Sequence, residues 1–135
     1  MEFGGHSVSS LASADGCAIE VSQMTVDEML RQHALSLGLS ALPAISTVKM
    51  GIQGAELEAL GGMQALLSDK TRRPDVLHIE IMEKGRRQAY FDLLKGYGYQ
   101  VELYAGTYDY RFTLPSYRPE LSAWGHQAAT WGHLD

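Results

Sequence analysis

The chain carries a single cysteine, Cys17, among its 135 residues. No disulfide can therefore form within one copy. A small apolar residue is a simpler reading of that side chain than a catalytic thiol, and a lone cysteine is compatible with a reducing compartment. Long apolar runs are absent: none approaches the roughly 20 residues that span a bilayer. The opening Met1-Glu2-Phe3-Gly4-Gly5 lacks a charged leader and an apolar stretch, so no signal peptide is expected and a cytoplasmic location is favoured. Basic charge is scarce too. Eleven Lys and Arg stand against sixteen Asp and Glu, for a net charge of −5, which leaves no basic footprint for nucleic acid. Arg72-Arg73 and the Lys84, Arg86, Arg87 group read as solvated charges at loop and helix ends. Neither a membrane nor a nucleic acid is an expected partner.

What is present is a globular pattern, 45% hydrophobic and only 20% charged, which argues against disorder. Residues 1–16 are rich in Gly and Ser and read as loop; residues 17–22 suit a short strand. Thr25 and Glu28 then form an S/T-x-x-E capping box, in which each residue's side chain satisfies the other's free backbone N–H. Asp27 adds first-turn negative charge. Met29, Leu30, His33 and Leu37 follow at helical spacing, with Gly38 as the stop. A loop over 39–44 leads to a strand over 45–50 and a glycine-flanked turn, Gly51-Ile52-Gln53-Gly54. A helix over 54–67 buries Leu57, Leu60, Met63 and Leu67, although Gly61 and Gly62 weaken it.

The run Val76 to Met82 is nearly continuously apolar and suits a strand buried on both faces of a parallel sheet. A helix over 86–97 carries Tyr90, Phe91, Leu94 and Tyr97 on one side. Alternation over 99–104 and 108–114, split by Ala105-Gly106-Thr107, is a hairpin signature. The expected organisation is a loop and short strand over 1–24, an α/β unit over 25–114 and a tail over 115–135. Its sheet is expected to be mixed but mostly parallel, ending in an antiparallel hairpin. In the tail, Trp124-Gly125-His126 recurs as Trp131-Gly132-His133. Two histidines rarely hold a metal alone, and no metal site is expected.

Ligands of open α/β sheets sit beyond the carboxyl ends of the strands. Here those ends are 51–54, 82–85 and 105–107. The first leads straight into a helix N-terminus, whose free N–H groups could receive an anion or a carbonyl oxygen. Candidate cleft residues are Lys49, Gly51, Gln53, Gly54, Glu56, Glu80 and Glu83. Lys49 reads either as a catalytic amine or as a strand lysine reaching the sheet end. Glu56 reads as a site carboxylate or as a first-turn helix charge. His78 and Glu80 share a face, as an acid–base pair or a structural hydrogen-bonded pair.

The string Thr47-Val48-Lys49-Met50-Gly51-Ile52-Gln53-Gly54-Ala55-Glu56-Leu57 resembles the signature of the FkbM-type methyltransferase family. Lys49, Gly54, Ala55 and Glu56 match its lysine and its Gly-Ala-Glu. Met24 to Leu30 resembles the family's Thr-Leu-Asp-x-Leu segment, Arg73 to Ile81 its Arg-Pro strand, and Leu94 to Tyr99 its Leu-x-x-x-Gly-Tyr helix end. The resemblance runs from about Gly5 to Leu114. It implies the C-terminal half of a Rossmann-like fold, S-adenosylmethionine as cofactor, and a small-molecule hydroxyl as methyl acceptor. Gly51 stands where the family has aspartate, and Gln53 where it has glutamate. The Gly-rich loop after the first strand and the acidic residue after the second, which the family carries in its other half, do not occur in these residues. Weak or absent cofactor binding and no activity of this chain alone are therefore expected, or else a non-catalytic binding or assembly role. Without a neighbour from the other half, the strand at 45–50 would be an open edge and a route to self-association.

Overall fold

A computed structural model describes residues 7–12, 16, 18–103 and 107–118. The chain divides into two compact units, Met1–Pro43 and Ala44–Asp135.

The first unit holds strands β1 (Ser7–Ala12) and β2 (Ala18–Gln23) and helix α1 (Val26–Ser36). The two strands pair antiparallel, with Leu11 opposite Ile19 and Ser9 opposite Val21. Residues 7–12 are thus a strand and not the loop that their Gly- and Ser-rich surroundings suggest. Pairing with β2 supplies what local propensity does not. The capping box forms on its Thr25 side, where the Glu28 N–H donates to Thr25 Oγ1 at 3.1 Å. The buried residues of α1 are Leu30 and Ala34, whereas Met29 and Leu37 are exposed.

The second unit contains β3 (Thr47–Met50), α2 (Glu56–Gly61), α3 (Gln64–Ser68), β4 (Val76–Glu80), a 3-10 turn (Lys84–Arg86), α4 (Arg87–Gly96), β5 (Gln100–Leu103) and β6 (Asp109–Thr113). The expected single helix over 54–67 is two short ones. Gly61 and Gly62 lack side chains to hold the turn, and the chain breaks at 62–63 before resuming. The helix α4 ends as its sequence suggests. Gly98, at φ 95°, donates its N–H to Lys95 O, while Tyr99 N–H reaches back to Leu94 O at 3.1 Å. That paired closure requires the left-handed backbone that glycine adopts freely.

The four strands form one mixed sheet in the order β3-β4-β6-β5. Only β3 and β4 are parallel; β4–β6 and β5–β6 are antiparallel. The sheet is therefore not mostly parallel. The hairpin does form, but its second strand returns beside β4, so antiparallel contacts outnumber the parallel one.

Strand periodicity sorts the residues into two faces. Met50, Leu77, Ile79, Tyr110 and Phe112 are buried on one, with Leu60, Met63, Leu66, Leu67, Tyr90 and Leu94 from the helices also buried. Phe91 of α4 meets Tyr110 edge-on at 5.6 Å and Phe112 at 6.1 Å, which fixes α4 on that face. The other face carries Lys49, His78, Glu80, Arg111 and Glu102. Burial of β4 on both faces is thus only partly realised: Val76 is buried, but His78 and Glu80 are half-buried. At the start of β4, the buried Tyr99 hydroxyl donates to Pro74 O at 2.6 Å. Burial, aided by Asp75 and opposed by Arg73, pushes that hydroxyl up to about 12, so it remains a donor across the ordinary pH range.

Candidate functional site

Because β3 and β4 are parallel, with Met50 opposite Ile79, their carboxyl ends open at the same edge of the sheet. The 51–55 turn leaves β3 there, and residues 81–86 leave β4. The turn doubles back through two successive positive φ angles, 61° at Gln53 and 101° at Gly54. Glycine accepts this; at Gln53 the left-handed backbone costs about 1–2 kcal/mol.

Glu56 holds the turn closed. Its carboxylate accepts from the Ile52 N–H at 2.7 Å through Oε1 and from the Gly54 N–H at 2.9 Å through Oε2. The residue is only 2% exposed. Two charge-assisted bonds offset much of the cost of burying that charge. Burial, with Glu56 nearby, also raises the Tyr90 hydroxyl above its ordinary value. The turn N–H groups at 52 and 54, which the sequence offers as receptors for an anion, are therefore spent on the chain's own carboxylate. Helix α2 itself starts at Glu56 and has no side-chain cap.

Arg86 braces the outside of this turn. Its guanidinium donates to Gly54 O at 3.3 Å and to Glu58 Oε1 at 2.7 Å, and lies 3.8 Å from Glu83. The Arg86 bond holds the Glu58 carboxyl below its ordinary range. Sequence reading placed Arg86 among solvated charges. Its partner Gly54 lies 32 residues away in the chain, so no local pattern could show the contact.

Glu80, on β4, reaches toward β3. Its Oε2 sits 3.2 Å from the point that a Cβ on Gly51 would occupy, and Glu83 Oε1 sits 3.7 Å from the corresponding point on Gly54. A Cβ at 51 would crowd the Glu80 carboxylate, which would have to give by a few tenths of an ångström. The structure brings Gly51, Gln53, Gly54, Glu80 and Glu83 together at one rim. It turns Glu56 inward beneath that rim. Lys49 lies one pleat behind this rim, on the same face as Glu80, in a row in which Lys49 stands opposite His78, His78 opposite Arg111, and Arg111 opposite Glu102. Arg111 is paired with Glu102. No hydrogen bond joins His78 to Glu80 among the described residues.

His78 in this row titrates below its ordinary value. Burial is the main cause, and the charges of Arg111 and Lys49 add to it against the opposing charge of Asp109. A base depressed in the folded state binds fewer protons there than in the unfolded chain. Its contribution is therefore intact above the ordinary histidine value of 6.5 and is lost as pH falls through that value toward the lower folded one. The thermal midpoint of the unmodified chain should fall more between pH 7.5 and pH 5.5 than that of His78→Gln. Parallel pH profiles for the two proteins would remove His78 as the cause.

Among the described residues, no group of three or more His, Cys, Asp and Glu side chains is placed to hold a metal ion. Cys17, His126 and His133 lie outside the described residues. No helix among the described residues is long and apolar enough to cross a membrane. In comparisons with known proteins, no family model, no curated protein and no solved structure matches the chain.

Proposed function

We propose that this chain carries the C-terminal half of a Rossmann-like, FkbM-type S-adenosylmethionine-dependent methyltransferase domain, and that these residues alone transfer no methyl group. The observation that carries the reading is the β3-to-α2 junction. Lys49 and Gly54-Ala55-Glu56, which match the family string, lie in a β–helix–β unit whose two strands are parallel. Gly54 and Glu56 also have a physical role there: one permits the turn and the other clamps it.

In this reading the acceptor is a small-molecule hydroxyl. The Gln53 amide and the Glu80 and Glu83 carboxylates are the polar groups at the rim able to hydrogen-bond to it or to the cofactor's ribose. Lys49 stands one pleat behind them, on the same polar face as Glu80. With Glu56 committed to the turn, the rim contributes few of the contacts that hold sulfonium, ribose and adenine in one pose. The first unit does not replace them, because β1 and β2 form an antiparallel ribbon and not a strand entering a Gly-rich loop and helix.

S-adenosylmethionine should therefore leave the thermal midpoint of the 135 residues unchanged. The measurement is sensitive, since a ligand at 100 times its Kd stabilises a fold by about 2.7 kcal/mol. A clear upward shift that Gln53→Ala abolishes would place a working cofactor site in these residues and overturn the proposal of inactivity. The native transcript tests the family reading separately. An in-frame upstream strand, Gly-rich loop and helix, whose longer product is stabilised by S-adenosylmethionine, is the expected result. No shift in such a product would favour a second reading, a non-catalytic binding or assembly module. Gly51 and Gln53, in place of the family's two acids, are the observations on its side.

A further inference from the structure

On the polar face of the sheet, one register position sets Lys49 of β3, His78 of β4 and Arg111 of β6 side by side, on strands about 4.8 Å apart. Three basic side chains thus cross three strands in a row. The two outer ones are not equivalent. Arg111 is paired with Glu102 on its far side, and its strand is held between β4 and β5. Lys49 forms no salt bridge to a described carboxylate, and among the described residues its strand is held by β4 alone. The acidic groups facing the half-buried His78 are Glu80, two residues along β4, and Asp109, opposite Glu80 on β6. The Glu80 carboxylate stands beside Gly51 and Asp109 is exposed.

We propose that protonation of His78 releases β3 from β4, so that the strand acts as a pH-sensitive flap on the sheet. While the imidazole is neutral, an uncharged ring separates the two cations. A proton on the ring sets like charges directly opposite on both sides, which is unfavourable. Burial opposes that charge first, and Arg111 and Lys49 add to the opposition against Asp109. The strain falls unequally. Arg111 keeps its carboxylate partner and its two neighbouring strands, whereas Lys49 has neither, so β3 is the part that yields. The 51–54 turn leaves β3 directly. Release therefore carries Gly51 away from Glu80, and a rim assembled at neutral pH comes apart in mild acid. The device depends on the register of the row and not on any methyl transfer.

Amide hydrogen exchange of the full chain, followed by NMR at pH 7.5 and 5.5 and corrected for intrinsic rates, reads the release. Ser46 O accepts from the Val76 N–H at 3.3 Å, and alternate residues direct their backbone groups to the same side, so the Val48 and Met50 amides face β4. These two should exchange faster than Tyr110 and Phe112, whose strand opens only with the whole sheet. Their exchange should quicken severalfold at pH 5.5. The ceiling is about tenfold, because the opened imidazole regains its ordinary value of 6.5 and gains a factor of ten per pH unit below it. His78→Gln should abolish the increase, and Lys49→Gln, at an exposed position, should reduce it. Val48 and Met50 exchanging no faster than Tyr110 and Phe112 at pH 5.5 would mean that β3 leaves only with the sheet. An undiminished increase in His78→Gln would remove the imidazole as the cause, and one in Lys49→Gln would remove the row. Each of these results overturns the proposal. Should His78→Gln fail to fold, the unmodified chain and Lys49→Gln decide alone.

Discussion

Replacing Glu56 by alanine should destabilise the Ala44–Asp135 unit by about 2–4 kcal/mol, lowering its thermal midpoint by about 10–20 °C. Two effects act together. The carboxylate's bonds to the Ile52 and Gly54 N–H groups are lost, and the buried place of the Glu56 side chain is vacated. Ile52 is 47% exposed, so water can take up part of the loss, and the main cost is that of the bonds to a charged group, about 1.5–3 kcal/mol each. Glu56→Gln should fall between the two. Its amide has one acceptor oxygen, and its NH2 would face an N–H donor. Glu58, two residues on, is the control. Its bond to Arg86 lies at the surface, where ion pairs contribute little, so Glu58→Ala should keep nearly the original midpoint. A thermal melt of the three variants checks the order. Equal midpoints for Glu56→Ala and Glu58→Ala would mean that the clamp contributes nothing to stability.

Phe112→Ala should be at least as damaging, at about 3–5 kcal/mol. Phe112 is 1% exposed and lies on β6 between β4 and β5. Its ring stands 6.1 Å from Phe91 and 6.5 Å from Tyr110. Truncation removes the transfer free energy of the ring and leaves a cavity that neighbours held on two layers cannot fill. Against a total of about 5–15 kcal/mol for a typical domain, much of the stability would go. Urea unfolding should show a markedly lower midpoint for Phe112→Ala and a smaller fall for Phe112→Leu. A midpoint within the error of the unmodified chain would mean that Phe112 is not the centre of this core.

The parts of the fold legible in the sequence were those set by local chemistry. The Thr25–Glu28 box, the β4 run from Val76 and the alternation of the final hairpin all rest on residues within a few positions of one another. What escaped depended on distant partners. The Gly- and Ser-rich stretch at 7–12 becomes a strand only through β2. Nothing in residues 99–114 states which strand of the hairpin will lie against β4, so the antiparallel character of the sheet was hidden. The break at Gly61-Gly62 was visible as a weakness, but whether packing would override it was not. At the rim, Gly51, Gln53, Gly54, Glu80 and Glu83 do gather as their positions at strand ends implied. Glu56 was recognisable as important, though its inward turn was not, because a first-turn glutamate looks the same whether it faces solvent or its own backbone. Lys49 sits two residues before Gly51 and the strand's pleat keeps it on the face of Glu80, while its register sets it opposite His78.

The approach of Glu80 to Gly51 makes the two positions interdependent under mutation. A side chain added at 51 would meet a carboxylate 3.2 Å from its Cβ, which the Glu80 side chain can relieve by a small shift; an acidic one would also set like charges side by side. The effect of an aspartate at 51 therefore depends on what occupies position 80. Variation at either position alone misjudges the other, and only the combined substitutions reveal how the rim can be remade.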